Sequence, residues 1–94
     1  MALARVVTFE GVDDARIAQL KQNVESGERP ENLPATEMII LHDPEGQKSI
    51  AIMFFENDAD YQQGHEVMDA MPTDDTPGKR TSVTRYDVAV RATA

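Results

Sequence analysis

Two short segments, residues 37–42 and 49–56, are apolar on both of their sides, and this limits what the chain can fold into more than any other feature. Strand alternation sets Met38 and Ile40 against Ile39 and Leu41 in the first, and Ile50, Ile52 and Phe54 against Ala51, Met53 and Phe55 in the second. A sheet with one wet face reads as apolar alternating with polar. These strands therefore need cover on both faces. The connection Asp43-Pro44-Glu45-Gly46-Gln47, with proline early and glycine late, suits a tight reversal and makes the pair a hairpin.

The rest of the chain supplies cover for one face. Residues Leu3 to Glu10 alternate as a first strand, with Leu3, Val7 and Phe9 on one side and Ala4, Val6 and Thr8 on the other. Gly11 ends it, and Asp13 or Asp14 can cap a helix because a short carboxylate accepts hydrogen bonds from the first free backbone N–H groups. In that helix Ile17, Leu20 and Val24 form an inward stripe, and Ser26-Gly27 provides the stop. A loop from Glu28 to Ala35 leads to the hairpin. A second helix, capped by Asn57 or Asp58, places Tyr61, Gly64, His65, Met68 and Met71 on one face and cannot pass Pro72. Thr73 to Lys79 reads as a polar loop. A last strand runs from Arg80 or Thr81 to Val90, with Tyr86, Val88 and Val90 alternating and a tail from Arg91 that should fray.

The order is βαββαβ, an α+β class of ferredoxin-like type: a four-stranded antiparallel sheet with two helices on one face. With 94 residues this is one domain, 1–94. Two helices leave the second sheet face bare, at a cost of about 1.5–3 kcal/mol for each large apolar side chain kept in water. Pairing with a second copy removes that cost, so a homodimer is expected.

Composition removes several function classes. Without cysteine there are no disulfides, thiolate zinc sites, iron–sulfur clusters or cysteine nucleophiles, which fits a reducing, cytoplasmic setting. A net charge of -8 repels a phosphate backbone, so no nucleic acid is expected as partner. RNA-recognition modules share the element order but need stacking aromatics on a basic surface. No run approaches the roughly 20 apolar residues that span a bilayer, and Met1 to Arg5 lead directly into a strand without signal-peptide features, so no membrane association is expected.

The element order, the apolar hairpin, the passage Phe55-Glu56-Asn57-Asp58 and the approach Gly78-Lys79-Arg80-Thr81-Ser82-Val83 together resemble the dimeric α/β-barrel superfamily. That group includes antibiotic-biosynthesis-monooxygenase-like and stress-responsive barrel proteins. The resemblance covers nearly the whole chain and implies a dimer closed through its sheets, with any ligand pocket between sheet and helices. It implies no single reaction. Haem-degrading members pair a helix histidine with tryptophan and asparagine, and this chain has no tryptophan.

Among single residues, His65 is the catalytic candidate, because an imidazole on an inward helix face can act as general base or hydrogen-bond donor near neutral pH. Tyr61 and Tyr86 can donate hydroxyls to a carbonyl-bearing ligand, Arg85 can anchor an anion, His42 beside Asp43 can be oriented by it, and Met68 can line an adaptable apolar cavity. Each also has an ordinary structural role open to it. No metal site and no cofactor follow from these residues. Haem would need His65, His42 or a tyrosine as axial ligand. The expectation is a small dimeric barrel that binds a small hydrophobic ligand or a protein partner; the alternative is a cofactor-independent monooxygenase or isomerase acting on an aromatic substrate.

Overall fold

In the computed structural model, which describes residues 2–27, 33–70 and 78–93, the order is β1 (Leu3–Glu10), α1 (Asp14–Glu25), β2 (Glu37–Asp43), β3 (Lys48–Phe55), α2 (Asp58–Asp69) and β4 (Lys79–Asp87). The strands form one antiparallel sheet in the order β2-β3-β1-β4. This is the ferredoxin-like α+β arrangement expected from the sequence. The central strands β1 and β3 pair along their whole length, from Leu3 opposite Phe55 to Glu10 opposite Lys48.

Alternation along β1 and β3 sends Leu3, Val7, Phe9, Met53 and Phe55 toward the helices, where all five are buried. Two clusters result: Leu3, Leu33, Met53, Phe55 and Tyr61 beneath α2, and Val7, Phe9 and Val12 beside Ile17 of α1. The helices differ in how deeply they dock. α2 buries Tyr61 and Gly64, whereas α1 buries no residue and leaves Val24 of its apolar stripe 51% exposed. Gly64 explains the close seat of α2, since a Cβ there would lie 2.3 Å from the fully buried Phe55 ring.

Both helices start as the sequence predicts. Asp13 accepts from the Arg16 N–H at 2.8 Å and Asn57 from the Asp60 N–H at 2.8 Å. Gly27, at φ 83°, follows the Ser26 cap of α1. Most of the two predicted loops, residues 28–32 of Glu28 to Ala35 and 73–77 of Thr73 to Lys79, lies outside the described residues, as do Met71 and Pro72.

The left-handed residue of the hairpin turn is Gln47 (φ 52°), and its carbonyl accepts the Val12 N–H at 2.8 Å, tying the turn to the segment after β1. Two local expectations change. β4 stops at Asp87 instead of Val90: the Val88 N–H still bonds the Ala2 carbonyl, but Val90 is 86% exposed. The chain beyond does not simply fray, because Arg91 lies over the Phe54 ring at 4.6 Å and pairs with Glu37.

Candidate functional site

The least conventional residue in the sheet is Arg5. It points to the helix side between Met53 of β3 and Arg85 of β4, and only 3% of it is exposed. A charged residue in the middle of a buried strand needs partners. They come from one stripe of α2, on which Asp58, Tyr61, His65 and Asp69 recur at spacings of three and four.

His65 accepts the Arg5 Nε–H at Nδ1, at 3.2 Å. That bond leaves the ring proton on Nε2, which lies 3.7 Å from Asp69, one helical turn on. Asp69 in turn accepts from Arg80 Nη1 at 2.9 Å. Its distance to Arg5 Nη2, 3.8 Å, is too long for a hydrogen bond. Among the described residues Arg5 Nη2 is therefore buried without an acceptor. At the other end of the stripe Arg85 binds Asp58 at 2.7 Å and lies 5.0 Å above the Tyr61 ring, which stacks on His65 and meets Phe55 edge-on.

A β-bulge makes this convergence possible. Thr8 pairs with Ser82 but Phe9 pairs with Arg80, so Thr81 is the extra residue and Arg80 is turned onto the helix side with Arg85. On the opposite side the same bulge gathers the hydroxyls of Thr8, Thr81 and Ser82, with Thr8 at 2.6 Å from each of the others.

The electrostatics are uneven. Burial lowers the Arg5 pKa from its ordinary value, and the nearby Arg80 charge lowers it further, only partly opposed by Asp69. Asp69 is held below the usual carboxylate value, chiefly by its hydrogen bond from Arg80. Three arginines thus face two carboxylates, with His65 serving Arg5 as a neutral acceptor. For His65 to take a proton from a substrate at Nδ1, the Arg5 hydrogen bond must first break.

Of the residues singled out from sequence, His65, Tyr61, Arg85 and Met68 are brought together beneath α2, Met68 packing on the cluster that holds Tyr61. The other two are elsewhere. Tyr86 stands on the helix-free face opposite Ala4, 55% exposed. His42 lies on β2, where Nδ1 meets Ser49 Oγ at 2.8 Å and Nε2 meets Asp14 at 3.1 Å, clasping the start of α1 to the hairpin. The Asp–His–Ser chain has the residue types of a nucleophilic triad, but Ser49 is only 2% exposed, so its hydroxyl is not presented to a substrate.

Sequence reasoning missed Arg5, Asp58, Asp69 and Arg80. Arg5 had a signal: it interrupts the inward series Leu3, Val7, Phe9 with a charge. Arg80 had none, because only the bulge puts it on the inner face. Among the described residues no three His, Asp or Glu groups are placed to hold a metal ion, and no helix is long and apolar enough to cross a membrane. No protein-family model, curated protein or solved structure matches this chain.

Proposed function

We propose that this chain works as a homodimer, a dimeric α/β barrel closed through its sheets, and that it binds a small hydrophobic molecule rather than transforming one. The observation that carries the reading is the helix-free sheet face. There Ile39, Leu41, Ile50 and Tyr86 are 37–55% exposed around Val6, Ile52 and Phe54. A contiguous apolar patch with a polar rim has the anatomy of an interface.

A second copy suits this patch for an electrostatic reason. Each chain carries a net charge of -8, so a surface that pairs with itself has to be locally neutral. The centre of this one has no charge. Its rim at the hairpin end alternates in sign across the sheet, Asp43, Lys48, Glu10 and Lys79 standing in one row, and at the other end Arg91 neutralises Glu37.

The test is the mass in solution of the native protein and of Leu41→Glu. A dimer that the variant converts to monomer supports the reading, since burying a new carboxylate in an apolar interface costs several kcal/mol. A monomeric native protein overturns it. Binding is tested by melting against aromatic polyketide-like compounds, quinones, flavin and haem, because a ligand of the folded state raises the midpoint with concentration. Turnover of an aromatic compound, lost by about a hundredfold or more in His65→Ala, would instead favour a cofactor-independent monooxygenase or isomerase.

A further inference from the structure

We propose that the cluster around Arg5 is a carboxylate-binding site, and that it anchors the acidic end of an aromatic or similarly flat ligand. The inference rests on the ligand-binding reading above and names the chemistry of that ligand. Three donors, Arg5 Nη2, Arg80 Nη1 and His65 Nε2, converge on the Asp69 carboxylate at 3.8, 2.9 and 3.7 Å, and only the Arg80 contact is a hydrogen bond. Asp69 thus stands near the right place for an oxyanion and satisfies one donor of three.

The cost of this arrangement argues for a use. A buried guanidinium without a full set of acceptors is expensive, and the like charge of Arg80, which shares Asp69 with it, makes it more so. An apolar residue in place of Arg5 would fill the same core between Met53 and Tyr61 without either penalty. A carboxylate entering beside Asp69 would give Arg5 Nη2 its acceptor and share Arg80, in the planar two-donor geometry that guanidinium groups offer.

The charge balance selects a monoanion. Arg5, Arg80 and Arg85 stand against Asp58 and Asp69, and the opposite ends of the α2 dipole cancel across the cluster, so one positive charge is in excess and a dianionic phosphate would be over-charged for the site. The ring open to a ligand body is that of His65, 36% exposed and backed by the buried Tyr61 ring, and a flat group suits it. Access is from the outer end of the cluster, where the side chains of His65, Arg80 and Asp69 are 36%, 42% and 47% exposed.

The experiment follows the arginine Nε–H and histidine ring resonances of the full chain by NMR during titration with sodium benzoate, with benzamide as neutral counterpart and inorganic phosphate as second anion. Benzoate should shift Arg5 and His65 saturably. Benzamide and phosphate should bind about tenfold more weakly or worse, the scale of one charge-assisted hydrogen bond. Arg5→Met should lose benzoate binding while melting at the same temperature or higher, which a purely structural arginine would not allow. If Arg5→Met does not fold, Arg80→Gln, an exposed change, should still weaken benzoate several-fold. Non-saturating shifts, equal binding of benzamide, or unchanged binding in the folded variants would overturn the proposal. A neutral compound that raises the midpoint without touching Arg5 would overturn it too, yet leave the ligand-binding reading standing.

Discussion

The two faces of the sheet are built from the same strands and similar apolar residues, yet they differ in what interrupts them. The helix-covered face hides Leu3, Val7, Phe9, Met53 and Phe55 and places within them a charged network of Arg5, His65, Asp69 and Arg80. The helix-free face has no charge at its centre, where apolar groups meet the hydroxyls of Thr8, Thr81, Ser82 and Thr84. Burying charge is costly and leaving apolar surface in water is costly, so each face bears a penalty of a different kind. Under the two proposals a ligand anion relieves the first penalty and a second copy's apolar surface the second, so that the covered face is for recognition and the bare one for association.

The largest expected effect lies on the covered face. Phe55→Ala removes the ring on which Gly64 and Tyr61 both pack and should lower unfolding free energy by about 3–5 kcal/mol in urea denaturation. The same truncation at the partly exposed Ile52 should cost much less in dilute protein, and its cost should grow with concentration as the dimer contributes. Equal costs at the two sites would erase the distinction between the faces.

Gly64→Ala gives an intermediate effect. Alanine improves helix propensity by about 1 kcal/mol, but a Cβ 2.3 Å from a fully buried ring forces α2 off the sheet. Overpacking of about 1–3 kcal/mol should win, and a calorimetric midpoint above that of the native protein would show that α2 sits more loosely than described.

Asp69 gives the smallest. Its folded pKa is lowered by Arg80, so its contribution to stability is present above the ordinary carboxylate value and is lost as pH falls through the lower folded one. Melting midpoints followed from neutral pH down to about pH 2 should fall slightly less steeply in Asp69→Asn than in the native chain. Identical slopes would mean that the Arg80 contact has no energetic weight.

Much of the fold was legible because the periodicities are strong. The first strand carries its alternation from Leu3 to Phe9, the hairpin is apolar on both sides, and Asp13 and Asn57 stand where a helix needs a cap. The end of β4 was misread because Val88 and Val90 continue the apolar alternation past Asp87, whereas the ladder with β1 ends at the Leu3–Asp87 pair and is followed by the Val88 bond to Ala2. The site was half legible. His65 and Tyr61 share a helix face at a spacing any helix imposes, but their partners come from strands distant in sequence. Arg80 reaches them only through a one-residue bulge at Thr81 that no alternation pattern announces.

The most direct test of the central claim is the mass of the native protein by light scattering across a concentration series. The account predicts a particle of twice 10.4 kDa that falls to 10.4 kDa in Leu41→Glu. A native protein that stays at 10.4 kDa throughout would contradict it, and the bare face would then need another explanation.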